Sequence, residues 1–470
     1  MKRLATLLMF VFATTGALAA TFTAGSPSTT NNDDGCDIAV LPAATLLLPY
    51  FEVDFNSPQT VAQTTLFTVV NTTQLPQIAR VTLWTDLAYP VVTFSLFLTG
   101  YDVQAINLYD IFGPRATFAP PSGTSSRVEV GNHSLDNDQN PNFLPSATLT
   151  CDTLPGAIPA SALQEIRTSF TTGRTNICGS SRIGLAHTNA VGYVTVDVVA
   201  RCSFNMPTDR AYFDELLYDN VLTGDYQVIN PNPTTGNYAG GNPLVHIRAI
   251  PEGGKAGVIA DTNLPFTFYD RYTPRDLSEA RAMDRRQPLP AVFATRFVQG
   301  GTGNFNTDLR IWREGVENPL VACATNTDNN GAAMQVADIV RFDEHENPMS
   351  VVGCNLCLPP VPSAVAFPAT SRNDTAGGSF PPLLSAAGDV AGWMYLNLTN
   401  NGSRFYSVKS GYKNARQGQL VRTSQNWVST SMYAEGRYQV LFDALMMANG
   451  CTPAPSVTTA NHPIAPGANP

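Results

Sequence analysis

The chain has 470 residues, and only 14% of them are Asp, Glu, Lys or Arg, against about 25% in ordinary soluble domains. A formal charge of −9 without clustered Lys and Arg excludes a nucleic-acid binder, whose phosphates need such clusters. Surface polarity must then come from Thr, Ser, Asn and Gln, which suit strands and turns better than long helices.

Residues 1–19 read as a secretory signal peptide: Lys2 and Arg3, a short apolar run over 4–13, then Ala17-Leu18-Ala19 as a small-residue cleavage site. The run is shorter than the roughly 20 apolar residues that span a bilayer. Residues 38–51, the nearest later approach to a membrane span, are interrupted by Pro42 and Pro49, so no transmembrane segment is expected. Residues 20–35 are small and polar and read as a disordered N-terminal segment.

A first strand is expected near 46–51, followed by β-type runs at 64–70, 80–85 and 91–98 and a shorter one at 105–108. Val81 and Leu83, then Phe94, Leu96 and Leu98, then Ile106 and Leu108 alternate with polar residues such as Arg80, Thr82, Ser95 and Asn107. This is the period of a half-buried antiparallel sheet. Residues 113–147 are rich in Pro, Gly, Ser and Asn and form a long loop, of the kind that is functional or mobile. Residues 159–170 read as a short helix with Ser161 as N-cap and Leu163, Ile166 and Phe170 on one face. Residues 193–199 (YVTVDVV) are the clearest strand, and two more follow at 225–229 and 244–249.

The charged stretch 273–290 marks a linker or short helix between two domains, 36–272 and 291–451, and a Pro- and Ala-rich tail, 452–470, reads as disordered. The second half echoes the first. Val81–Trp84 matches 309–312, and 64–70 matches 292–298 at the same offset. Gly192-Tyr193 matches Gly392-Trp393, and 224–228 matches 436–440, with drifting offsets. The expected fold is all-β: two related antiparallel β-sandwich (Ig-like) domains with long irregular loops and short helices.

Eight cysteines behind a signal peptide read as disulfides. Cys178 and Cys202 flank one strand and are a candidate pair, although eight cysteines allow about 105 arrangements. Cys354-Asn-Leu-Cys357 has the spacing of half a zinc knuckle, but no second C-x-x-C and no suitably spaced His accompanies it.

Several phrases, LLLPYFEVDF (46–55), VTLWTD (81–86), LTGYDVQAINLYDIF (98–112) and GYVTVDVVARC (192–202), resemble those of a group of secreted bacterial β-rich proteins with no assigned activity. The likeness covers most of the first half and, more loosely, 290–348. It implies bacterial secretion and a β-rich fold, and it carries over no catalytic residue.

Catalytic motifs are missing. There is no G-x-S-x-G elbow, and Glu344-His345-Glu346 lacks the second His of a zinc helix and is followed by Pro348. Asp86, Asp102, Asp110, Asp197 and Glu215 are candidate carboxylates for glycoside hydrolysis in name only, expected mostly as solvated strand-end or turn residues. The best ligand signal is calcium, from alternating oxygen donors at Asp136, Asp138 and Asn140 and at Asn326, Asp328 and Asn330. Asx-turn loops without metal are the competing explanation. Trp84 and Trp312 are out of phase with their inward neighbours, so they either face outward, where they are candidates for stacking on sugar, or pack between domains. The reading is a secreted, periplasmic or cell-surface protein with a non-catalytic structural, adhesion or binding role, its partner a surface glycan or another protein. A carbohydrate-binding protein and a carboxylate-based polysaccharide hydrolase are the alternatives.

Overall fold

The computed structural model describes, with short gaps, residues 40–113, 139–141, 160–175, 182–248, 289–300, 304–313, 334–350, 366–374, 391–398 and 426–448. In the first half the elements are β1 (Thr45–Val53), β2 (Thr64–Asn71), β3 (Gln77–Thr85), β4 (Pro90–Leu98), β5 (Val103–Asn107), α1 (Tyr109–Phe112), β6 (Gln139–Pro141), α2 (Ala160–Thr171) and β7 (Ala190–Val199). They continue with β8 (Leu222–Thr223), β9 (Asp225–Asn230), β10 (Asn237–Pro243) and β11 (Val245–Ile247). The second half holds β12 (Val292–Val298), β13 (Phe305–Arg313), β14 (Met334–Gln335), β15 (Asp338–Asp343), β16 (Pro348–Ser350), β17 (Ala366–Phe367), β18 (Thr370–Asp374), β19 (Ala391–Asn397), β20 (Asn426–Ala434), β21 (Tyr438–Asp443) and β22 (Leu445–Ala448).

The chain is all-β and antiparallel. A six-stranded sheet, β11-β1-β7-β3-β4-β6, lies against a five-stranded one of β10-β9-β2-β5 with β8 beside β2. The second half makes a five-stranded sheet, β16-β15-β19-β12-β22, a four-stranded sheet, β18-β13-β20-β21, and a small β14-β17 pair. No described sheet mixes strands from the two halves. The alternation seen in the sequence sets the cores. Val81, Leu83, Phe94, Leu96, Val194 and Val196 of one sheet meet Phe67, Val69, Tyr226 and Val228 of the other. Phe293, Leu309, Ile311, Ile339, Leu396 and Val428 do the same in the second half. Helix α2 closes one end of the first core with Leu163, Ile166 and Phe170; Phe170 packs edge-on against Phe112, 5.1 Å between centroids. Ser161, expected to cap this helix, lies inside its first turn.

The halves share a strand order. In each, a central strand (β2, β12) is flanked by one neighbour from mid-chain (β5, β19) and one from the end (β9, β22). In the facing sheet, β3 lies between β4 and β7 as β13 lies between β18 and β20. β3 and β13 are nine residues each with the same burial sequence along the strand. Two of the four sequence matches therefore fall on equivalent strands. The other two do not: β19 stands where β5 does rather than β7, and β21 pairs with β20 rather than taking the place of β9. The Gly-aromatic likeness has a local cause. A Cβ on Gly192 would sit 2.1 Å from the Trp84 carbonyl oxygen, and one on Gly392 would sit 2.0 Å from that of Phe342. Both strands need glycine where a neighbouring backbone crowds in.

The Ig-like part of the expectation does not extend to the connections of the first half. With β2, β3, β5 and β7 in the places of strands B, C, E and F, an immunoglobulin domain would set the first strand beside B and the last beside F. Here β1 pairs with β7, and β9 pairs with β2.

The outer face of the six-stranded sheet is not solvated. Arg80, Thr82, Thr93, Ser95 and Thr195 are all fully buried. The expectation of a polar, water-facing side fails there because much of this face is covered by the second half. Leu47, Trp84, Tyr193, Val245 and Ile247 from the first half form one cluster with Trp312, Ala369 and Trp427 from the second. Trp84 stacks on Tyr193 at 5.6 Å and 5°, and Tyr193 meets Trp312 edge-on at 5.9 Å and 74°. Backbone hydrogen bonds cross the same seam: Ala369 N–H donates to the Asp86 carbonyl at 2.8 Å. The Thr370 hydroxyl donates to the Pro49 carbonyl at 2.7 Å.

Replacing Trp312 by Ala empties the centre of this cluster. We expect a loss of about 3–5 kcal/mol and the splitting of one denaturant transition into two as the halves uncouple. Circular dichroism across a urea series reads both, and a variant as stable as the parent with one unchanged transition would contradict the shared core.

Candidate functional site

A cleft of about 560 Å³ opens along the seam. Its walls are Tyr50 and Glu52 from β1, Asp86 from the turn after β3, the segment 185–191 leading into β7, and 368–372 at the start of β18. Four chain regions distant in sequence thus meet where the second sandwich sits on the first.

Asp86 organises one wall. Its carboxylate is 2% exposed; Oδ1 accepts the Leu185 N–H at 2.9 Å, and Oδ2 lies 2.8 Å from His187 Nε2. An ionised carboxylate only accepts, so the network places a proton on Nε2 and turns Nδ1 away from Asp86. The His187 backbone N–H donates to Thr171 O at the end of α2 (2.7 Å), which fixes the loop, and the ring stays 24% exposed.

Arg372 organises the other wall. Its Nε donates to Asp308 Oδ2 at 2.6 Å, and Nη1 lies 3.4 Å from Glu52 Oε2, so one guanidinium ties β18 to β13 and to β1 of the other half. Glu52 also accepts from Asn189 Nδ2 (2.7 Å) and from the Tyr50 hydroxyl (3.0 Å). Burial would push the Glu52 carboxyl up, but the Arg372 charge and the Asn189 and Tyr50 hydrogen bonds outweigh it and hold the group below its ordinary 4.5. Burial and the Glu52 charge push the Tyr50 hydroxyl well up. Beneath lies Arg310, 2% exposed, its guanidinium 5.6 Å from the Tyr50 ring centroid. Its Nε and Nη1 have no hydrogen-bond acceptor among the described residues.

A second polar cluster crosses the seam at Asp443, whose Oδ1 accepts from Asn242 Nδ2 (3.0 Å) and Trp427 Nε1 (3.1 Å). Asn242 Nδ2 also reaches the Tyr226 hydroxyl at 3.3 Å, and that hydroxyl reaches Ser429 at 3.4 Å. Burial raises the Asp443 carboxyl to about 6. His246, on β11, is held down at about 4 by burial, and its Nε2 accepts the Gly224 N–H at 3.2 Å.

Trp84 and Trp312 do not face outward: they are 2% and 0% exposed, and neither offers a free face to a sugar. The exposed tryptophan is Trp393, at 37%, stacked on Phe342 at 4.2 Å. The candidate carboxylates are not solvated either, apart from the half-buried Asp110. Asp86, Asp102, Asp197 and Glu215 are at most 5% exposed, because each is a structural acceptor. Asp197 takes the Thr45 hydroxyl at 2.6 Å. Glu215 takes Arg201, Ser203 and Asn205 at 2.6–2.9 Å. Asp136, Asp138, Asn326, Asp328 and Asn330 lie outside the described residues, as do all eight cysteines, Cys178 and Cys202 included. Of Asn140 the backbone alone is described, paired with Ser95 in β6. Among the described residues no three His, Cys, Asp or Glu side chains gather as a metal site. Comparison with family models, with characterised proteins and with solved structures finds no match.

The cleft holds fixed donors and fixed acceptors with their charges paired. Glycoside hydrolysis needs one carboxyl raised to serve as acid and another ionised. Glu52, held low, is not the raised carboxyl that the acid role requires.

Asp443 gives the seam a pH dependence of definite sign. Its folded pKa of about 6 exceeds its unfolded value of about 3.9. Its stabilisation is therefore full below about pH 4 and is lost as pH rises through about 6. Asp443→Asn should remove that decline and stabilise the protein by about 1–2 kcal/mol at neutral pH. Melting curves between about pH 4 and 8 check it, and a variant that melts lower at neutral pH, with the parental slope, would contradict it.

Proposed function

We propose that the chain is a secreted or cell-surface protein of the bacterial exterior with a non-catalytic structural, adhesion or binding role. One observation carries the reading. The ionisable groups that meet in the cleft are paired with one another: Asp86 with His187 within the first half, and Glu52 with Arg372 across the seam. A hydrolase would instead keep one carboxyl protonated and facing its substrate.

The export side of the proposal rests on the N-terminal pattern, Lys2 and Arg3 before an apolar run and Ala17-Leu18-Ala19. In an oxidising compartment the even set of cysteines pairs as disulfides, with Cys178 and Cys202 as a candidate bridge. A tandem of sandwiches with a covered seam suits a protein that must hold its shape outside the cell.

The test is turnover. Purified protein incubated with a panel of polysaccharides, peptides and ester substrates should release no product above a heat-treated control. Product release that disappears in Asp86→Asn or Glu52→Gln, with the melting temperature unchanged, would overturn the proposal.

A further inference from the structure

We propose that the seam cleft binds a neutral saccharide. The proposal rests on the non-catalytic reading above and adds to it the class of ligand.

The size comes first. About 560 Å³ falls within the roughly 300–1,000 Å³ of pockets that hold small molecules, and such pockets favour domain interfaces. The charge comes next. Glu52 and, behind it, Asp308 pair with Arg372 on one wall, and Asp86 pairs with His187 on the other. An anionic ligand would meet the three carboxylates, and a cationic one would meet the guanidinium; an uncharged ligand meets neither penalty.

Hydrogen-bonding chemistry then narrows the class. Arg372 is a third exposed and offers donors. His187 presents Nδ1, with the ring held in place through Nε2. Thr188 is exposed beside it and carries a hydroxyl. Donors and acceptors both line the opening, and Arg372, Glu52, Asn189 and His187 are held by their own partners before any ligand arrives, which limits the ordering cost of binding. A hydroxyl group donates and accepts at once, so a polyhydroxylated ring satisfies such a wall without leaving buried polar groups unpaired. Between the polar groups, Tyr50, Leu185, Val191 and Pro368 give an apolar floor for the C–H face of a ring. Trp84 and Trp312, candidates either for stacking on sugar or for packing between domains, are closed off by the same seam that builds the cleft.

The experiment uses the full-length mature chain and four neutral trisaccharides, built of glucose, mannose, galactose and N-acetylglucosamine. Calorimetric titration should show saturable binding of at least one of them. Ala186→Trp, which fills the cleft from an exposed position, and Arg372→Lys, which removes the planar donor pair, should each weaken it by at least about tenfold, the scale of one or two lost hydrogen bonds. Trp393→Ala, which removes the exposed indole, should leave it unchanged. If either cleft variant fails to fold, the parent protein still decides the matter: the His187 imidazole signals, assigned with His187→Gln, should shift on titration. No heat and no His187 shift at about 10 mM sugar, well above the concentration at which a few hydrogen bonds register, would overturn the proposal. Binding abolished by Trp393→Ala but kept by Ala186→Trp would also overturn it. New reducing-end signals during the titration would overturn the non-catalytic reading while leaving the cleft as the sugar site, so the two failures are distinct.

Discussion

Everything in this molecule depends on burying a sheet face that a lone sandwich would leave wet. The outer side of β3 and β7 carries Arg80, Thr82, Trp84, Tyr193, Thr195 and Asp197, all buried. Taking such groups out of water is costly unless each finds a partner. The partners are present: Arg80 donates to Ser95, Asn205, Arg201 and Ser203, and Trp84 Nε1 donates to the Thr195 hydroxyl at 2.9 Å. The apolar share of the cost is met by the second half, whose Trp312 and Trp427 cover Trp84 and Tyr193.

The same constraint explains where the cleft lies and why its charges are paired. Where the second half covers the outer face of β3 and β7, the aromatic cluster fills part of the contact, and the cleft opens beside it. Carboxylates at the margin of a low-dielectric contact need cations, and Arg372 serves two of them, Asp308 in its own half and Glu52 across the seam. The guanidinium suits this task because its planar fork donates in more than one direction at once. The paired groups that stay partly exposed in the gap are Arg372, at 34%, and His187, at 24%.

Much of the fold was legible in the sequence, and the reason is local. Alternation at Val81 and Leu83, or at Val194 and Val196, states which residues share a face. The match of 64–70 and 309–312 with their counterparts across the chain marked β2, β3, β12 and β13 correctly. Alternation does not state what covers the opposite face, so Arg80 and Ser95 looked solvated and are fully buried. Likewise Gly192 and Gly392 share a motif because each lies under a neighbouring carbonyl, not because their strands are equivalent. The site was not legible at all. Asp86 and His187 are 101 residues apart, and Glu52 and Arg372 are 320 apart. No short spacing encodes either pair. The pairing of β3 with β7 inside the first sandwich brings Asp86 to His187, while only the stacking of one sandwich on the other brings Glu52 to Arg372, and that stacking is announced by nothing more than two tryptophans in the wrong phase.

The central claim is that the seam is closed, and tryptophan emission tests it most directly. Of the four tryptophans in the chain, Trp84, Trp312 and Trp427 lie in the seam cluster and Trp393 is exposed. In a Trp393→Phe variant, acrylamide should scarcely quench the remaining fluorescence until denaturant opens the contact. Quenching of that variant in native buffer to the extent seen for free indole would mean that the two sandwiches stand apart and that the seam and its cleft do not exist.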